Sequence, residues 1–176
     1  MNEISKREAM GVVPADFYNR ISDILSSARR RAYAAVNYSM VLAYWEIGRS
    51  IVEEQGGAER AAYGDKLIEG LSARLTEDFG KGFDASNLLN MRRFYLAFPI
   101  QDALRPELTW THYRKLITVK DDEARAWYMN EAADEQWSTH QLDRQISTLY
   151  YDRLLASRDR TQTLPKPCPF LSGILR

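Results

Sequence analysis

Residues 79–95 read Phe79-Gly80-Lys81-Gly82-Phe83-Asp84-Ala85-Ser86-Asn87-Leu88-Leu89-Asn90-Met91-Arg92-Arg93-Phe94-Tyr95. Gly80 and Gly82 supply backbone conformations with positive φ, so they predict the end of one helix and a tight turn. Asp84 is a favourable N-cap for a second helix, and Phe83 can pack on Leu88 as a hydrophobic staple. The stretch therefore predicts two helices joined by a short glycine turn.

Apolar spacing extends both helices away from this turn. Before it, Asp65 is a candidate N-cap, and three leucines four residues apart share one helical face: Leu67, Leu71 and Leu75. After it, the predicted buried stripe is Leu88, Met91, Tyr95 and Phe98. Both helices are thus expected to be amphipathic.

Polar and basic side chains gather at the start of the second helix. A helix-turn-helix presents amide and guanidinium groups to DNA from this position. In that interpretation Lys81 holds phosphate, while Asn87, Asn90 and Arg93 reach base edges. Arg92, and Arg144 on a later helix, are secondary candidates. The alternative is plain helix packing, because glycine turns join amphipathic helices in most all-α proteins.

The segment from Ala15 to Glu54 contains no proline and a single glycine, Gly48. Its apolar residues keep a helical period, which predicts one very long helix or two with a small kink. Because a mid-helix glycine costs about 1 kcal/mol against alanine, we expect another helix to approach closely at Gly48. The triplet Arg29–Arg31 is either a solvated face or a phosphate contact.

The remaining segments predict further helices. Asp121 to Glu123 suit a helix N-terminus better than a metal site, and Trp137-Ser138 opens a last helix whose core face is Leu142, Ile146, Leu149, Tyr150 and Leu154. The expected fold is all-α: a long N-terminal helix plus a helix-turn-helix-like helical bundle. Residues 1–14 are expected to form a flexible arm, 15–158 the helical domain, and 159–176 a proline-containing tail.

Composition limits the possible functions. Lys plus Arg and Asp plus Glu balance at 24 each, so any nucleic-acid contact must come from a local patch. The single cysteine, Cys168, suits a reducing cytoplasm, and no segment predicts a membrane span. The two histidines lack metal-ligand spacing, and no lysine has an acidic residue two positions before it. We therefore expect no cofactor, no metal and no catalytic site.

Many short motifs, in order, resemble the N-terminal domain of the YhcG-type family over about residues 17–158. They are Asn37, Tyr44-Trp45-Glu46-Ile47-Gly48-Arg49, Tyr63-Gly64, Leu67-Ile68, Leu71-Ser72, Leu75, Phe79–Phe83, Asn87-Leu88, Met91-Arg92, Phe94-Tyr95, Leu108–Tyr113, Glu123–Arg125, Tyr128, Glu131-Ala132, Trp137-Ser138, Leu142–Tyr150 and Arg153-Leu154.

In that family of bacterial proteins the helical domain precedes a nuclease domain of the PD-(D/E)XK class. The resemblance implies a DNA-binding or assembly module that serves a nuclease in cis, without catalytic residues of its own. The nuclease domain is expected to be absent here, so the chain is either an excised fragment or a natural truncation. The alternative function is a helical protein-interaction module that forms a homodimer through the long N-terminal helix without touching DNA.

Overall fold

A computed structural model describes the backbone of residues 13–55 and 61–162, and the side chains of 13–55 and 66–157. Those residues form seven α-helices, a short 3-10 helix (Gln101–Ala103) and no strand, which confirms the all-α prediction. The α-helices are α1 Ala15–Glu54, α2 Ala61–Phe79, α3 Ala85–Ala97, α4 Trp110–Leu116, α5 Asp122–Asp134, α6 Thr139–Ser147 and α7 Tyr150–Gln162. Most of the predicted arm and tail lies outside the described residues.

The chain divides into two compact units, Met1–Trp110 and Thr111–Arg176. The boundary falls at the start of α4. The predicted domain of residues 15–158 therefore contains two structural units.

Helix α1 is continuous over 40 residues and begins after Pro14, which settles the choice between one helix and two. Its buried residues are Val41, Trp45, Gly48 and Ile51, all in the C-terminal half. Gly48 packs directly on α3, because a Cβ atom there would lie 2.7 Å from the carbonyl carbon of Met91. The close approach predicted from this glycine is confirmed.

The turn between α2 and α3 has the expected local structure. Gly80 and Gly82 have φ values of 81° and 114°, and the Asp84 side chain accepts a hydrogen bond from the Asn87 amide at 3.0 Å. Phe83 packs against a core cluster of Ile51, Ile68, Leu88 and Met91. The staple and the cap thus fix the direction in which α3 leaves the turn.

Two details of the sequence prediction are wrong in this unit. Helix α2 begins at Ala61, so Asp65 lies inside the helix and cannot be its N-cap. The buried face of α3 also includes Phe94, which is fully buried, whereas Tyr95 is only half-buried. The Phe94 ring packs on the rings of Phe98 and Trp110, whereas Tyr95 stands beside Gly48 and packs on Trp45.

The second unit is built from well-capped helices. Asp121 caps α5 by accepting from the Ala124 amide at 2.6 Å, and Ser138 forms a capping box with Gln141 at the start of α6. The predicted last helix is wrong in one respect: it breaks at Leu149, which has a φ of 50° and is exposed. The two helices that result, α6 and α7, are both tied to α5 by Tyr128. Its hydroxyl donates to the Gln145 carbonyl at 3.2 Å and accepts from the Tyr151 amide at 3.1 Å.

Candidate nucleic-acid interface

The glycine turn exposes Lys81 at the entrance to α3. Its side chain is exposed, and it lies between the two positive-φ glycines that shape the turn. An exposed ammonium group on such a turn can contact a phosphate without any rearrangement of the backbone.

Asn87 uses both ends of its side-chain amide inside the protein. Its Nδ2 atom donates to the Gly82 carbonyl at 2.6 Å, and its Oδ1 atom accepts from the Trp110 indole at 3.1 Å. The Trp110 ring also lies against Tyr44 and Phe94, with centroid distances of 5.0 and 5.4 Å. Asn87 therefore joins the turn to an aromatic cluster that includes residues of α1 and α3.

Asn90 and Arg93 form a neighbouring pair one turn further along α3. The Arg93 Nη1 atom lies 3.5 Å from the Asn90 Oδ1 atom, a weak contact at that distance. Arg93 is exposed and Asn90 is half-buried. The pair thus places one guanidinium group and one amide side by side, the two groups that bind guanine and adenine edges.

Arg92 is half-buried, and its Nε atom is buried with no hydrogen-bond acceptor among the described residues. Buried donors are nearly always satisfied, by protein or by ordered solvent, and an exception calls for an explanation. Because its Nε atom is buried, the Arg92 side chain packs against the protein along its aliphatic part, whereas Arg93 is exposed.

The other basic candidates lie elsewhere. Arg29, Arg30 and Arg31 are exposed on the N-terminal half of α1, where Arg30 helps to line a pocket of about 290 Å³ with Tyr33, Asn37 and the segment 106–109. Arg144 is exposed in the last turn of α6, in the second unit. The structure therefore brings together Lys81, Asn87, Asn90, Arg92 and Arg93 on the turn and α3, and Arg144 is not part of the same unit.

Trp110 is a member of this site that the sequence did not indicate. It lies 23 positions after Asn87, and its indole N–H completes the Asn87 hydrogen bonds. The sequence offered a weak signal, since a tryptophan in a partly buried position usually finds an acceptor for its N–H group.

Groups suited to acid-base or metal chemistry are sparse in the described part of the chain. No cluster of three or more His, Cys, Asp or Glu side chains with metal-binding geometry occurs there. His112 is buried, with Nε2 3.0 Å from the Trp137 carbonyl oxygen, and burial lowers the pKa of its imidazole while that hydrogen bond opposes the shift. Both partners belong to the second unit, so this histidine is part of a packing contact.

Comparison with known families shows which family the chain belongs to. The family described as DUF1016 N-terminal domain matches residues 20–153, which include α3 and nearly all of α1. The chain belongs to this family. The matched residues of this DUF1016 N-terminal domain lie in both compact units and include all the candidate residues on the turn and α3.

A relative from Escherichia coli (strain K12), described as "Putative nuclease YhcG", is 37% identical over 195 aligned positions. The match covers 90% of this chain but 52% of the relative, so the chain spans about half the length of the protein that it resembles. No solved structure matches the chain. Among the described residues of this DUF1016 N-terminal domain, no helix is long and apolar enough to cross a membrane.

Proposed function

We propose that this DUF1016 N-terminal domain is a DNA-binding and targeting module that carries no chemical step of its own. In full-length relatives it would direct a nuclease domain on the same chain, in the bacterial cytoplasm. The relative described as "Putative nuclease YhcG" supports the link to nucleic acid. The helix-turn-helix-like role of α2, the turn and α3 is part of the proposal.

The observation that carries the proposal is the Asn90–Arg93 pair on α3. The two groups lie one helical turn beyond a capped, glycine-bearing turn that exposes Lys81. We assign base contacts to Asn90 and Arg93, and phosphate contacts to Lys81 and Arg92. Asn87 takes a different role from the one expected, since its amide is engaged by Gly82 and Trp110: it holds the turn in the conformation that presents the others.

The test is a fluorescence-anisotropy titration of labelled duplex DNA at several salt concentrations. We expect affinity to fall steeply with salt, and Lys81→Ala to reduce the slope of log K against log salt by about 0.9. Asn90→Ala/Arg93→Ala should weaken binding by roughly tenfold or more, and the loss of affinity should differ from one DNA sequence to another.

Arg74→Ala is the matched control for charge. Arg74 is an exposed arginine on α2, so its removal changes the net charge by the same amount as the loss of Arg93. If Arg74→Ala weakens binding to every DNA sequence as much as Asn90→Ala/Arg93→Ala does, the binding depends only on the net charge of the protein and α3 contacts no bases. If the wild-type chain fails to bind DNA even at low salt, the proposal is wrong.

A second function, a protein-interaction module, is favoured by a different observation. The N-terminal half of α1 has no buried residue before Val41, yet it is rich in large apolar side chains. Such a surface on a protein marks an interaction site. We propose that it mediates self-association, which is compatible with DNA binding because helix-turn-helix proteins commonly bind DNA as dimers.

A further inference from the structure

The first half of α1 carries an apolar stripe that the described residues of the chain leave exposed. Its large members, Phe17, Ile21, Ile24 and Leu25, are between 42% and 62% exposed. With the helical spacing of three to four residues, they share one face with Ala28, Ala32, Ala35 and Val36. The stripe from Phe17 to Val36 spans 20 residues, about 30 Å of helix.

Side-chain size falls along most of this stripe. Its first members are large, Phe17, Ile21, Ile24 and Leu25; the next three are alanines, Ala28, Ala32 and Ala35; the last is Val36. Two parallel copies would place large residues against large residues in the first part and alanine against alanine in the second part, so one helix separation could not fill both parts. Two antiparallel copies place Ile21 against Ala32 and Leu25 against Ala28, and Phe17 meets Val36 at each end of the pair. The central contacts therefore join a large side chain to a small one across a two-fold axis.

Charge favours the same orientation. Arg29 and Arg31 flank the stripe on its two sides at one level of the helix. A parallel pair would bring Arg29 of one copy beside Arg31 of the other, and like charges at neighbouring positions destabilise a helix pair. With Ile21 opposite Ala32 in the antiparallel pair, every two residues that lie opposite each other have numbers that sum to 53. Arg29 therefore lies opposite Ile24, and Arg31 lies opposite Ser22. The arginines of the two copies are then separated along the axis.

We propose that two copies of this chain associate through an antiparallel pair of α1 helices, centred between Ser26 and Ser27, with Ile21 of each copy against Ala32 of the other. The pairing deepens the second function proposed above and rests on it. The occupant is a second copy because the size gradient and the arginine positions complement each other only when the same stripe is reversed.

Cysteine crosslinking tests the orientation in the full chain. Ile21→Cys and Ala32→Cys are made separately, each with Cys168→Ser, and one of the two carries a tag that changes its mobility. In the antiparallel register the two copies of Ile21 are about 16 Å apart along the axis, beyond the reach of a disulfide. Each variant alone should therefore stay uncrosslinked under mild oxidation, while the mixture should give the mixed disulfide. Crosslinking of each variant with itself would establish a parallel pair and overturn the proposal.

Sedimentation velocity over a range of concentrations tests the stripe itself. Ile21→Asp should raise the dimer dissociation constant by roughly tenfold or more, because it replaces the apolar contact with Ala32 by a charge that must leave water. Ser26→Asp is the matched control, because Ser26 is exposed and lies about 140° away from Ile21 around the helix. It should leave the dimer dissociation constant within about twofold of the wild-type value, the scale of a surface charge change.

A monomeric wild-type chain at every concentration, or equal effects of the two variants, would overturn the pairing. Since no DNA is present, these results are independent of whether α3 binds DNA.

Discussion

The α-carbon of Gly48 faces the main-chain carbonyl of Met91 where α1 packs on α3. An added Cβ would lie 2.7 Å from the Met91 carbonyl carbon and 3.2 Å from the Tyr95 Cβ. The nearest atoms belong to the backbone, which cannot rotate away as a flexible side chain can. The contact therefore sets the position of α3, and of the polar groups on it, relative to α1.

Gly48→Ala is expected to lower the free energy of unfolding by about 1–3 kcal/mol, the range for overpacking a well-filled interior. This net loss should appear although alanine gains up to about 1 kcal/mol in helix propensity. Gly70→Ala is the control: Gly70 lies in α2, and an added Cβ there meets nothing within 4 Å. It should stabilise the protein by about 0.5–1 kcal/mol. Urea unfolding measures both, and equal effects would show that the Gly48 contact is not tight.

The close approach at Gly48 illustrates what the sequence could predict. A glycine in the middle of a long helix is unfavourable unless something requires it, and Asp84, Asp121 and Ser138 are N-caps whose chemistry is local. The caps depend on a few neighbouring residues, and the glycine indicates a close approach without indicating which helix makes it, so the sequence was enough for both.

The break between α6 and α7 shows where local patterns fail. The apolar period runs unbroken through Leu142, Ile146 and Leu149, and no glycine or proline marks the end. Leu149 nevertheless adopts a positive φ, and the start of α7 that follows is held by a hydrogen bond from the Tyr151 amide to the Tyr128 hydroxyl of α5. That contact joins residues 23 positions apart, so local sequence patterns do not indicate it.

Gly80 tests the conformation of the turn that presents Lys81. Gly80→Ala should destabilise the protein by about 1–2 kcal/mol, because an L residue with a Cβ is strained at positive φ. Gly80→Asn should lose clearly less, since asparagine tolerates the left-handed region. An added Cβ would meet no atom within 4 Å, so crowding cannot explain the difference. Chemical denaturation of both variants provides the measurement, and equal losses would argue against a φ-dependent cause.

Asn87 separates a structural role from a DNA-reading role. Asn87→Ala removes the bonds to Gly82 and Trp110 and should lower stability by about 1–3 kcal/mol, mainly the cost of leaving the partly buried Trp110 indole N–H unsatisfied. Ser86→Ala, at the exposed neighbouring position, should change stability by less than about 0.5 kcal/mol. Thermal unfolding followed by circular dichroism measures both. If Asn87→Ala leaves stability unchanged but abolishes DNA binding, then the amide is a reading group after all.

The Asn87 geometry also explains why the site could be predicted only in part. The residue types and their spacing on α3 are visible in the sequence. The engagement of one of those side chains by Trp110 depends on the packing of residues 23 positions apart. A sequence pattern can therefore predict which polar residues of a helix are candidates for DNA contact. It does not show which of them form hydrogen bonds within the protein instead.

His112 is expected to make stability depend on pH. Burial lowers the pKa of its imidazole in the folded state, while in the unfolded chain that pKa is about 6.5. Between the lowered folded value and about 6.5, the unfolded chain binds more protons than the folded one, so stability falls as pH falls. Above about pH 7 the contribution is complete and the dependence on this group vanishes.

The measurement is urea unfolding between pH 8 and pH 5 for the wild type, His112→Gln and His140→Gln. His112→Gln should have a lower free energy of unfolding than the wild type at pH 8 but lose less of it on acidification. The difference in free energy of unfolding between the two proteins should therefore narrow below about pH 6.5. His140 is exposed, and its replacement should retain the wild-type profile. Because the two histidine variants keep every other titratable group, the difference between them isolates the buried imidazole. If the difference in free energy of unfolding between the wild type and His112→Gln were the same at every pH, His112 would titrate alike in the folded and unfolded states. Its burial would then have no electrostatic consequence.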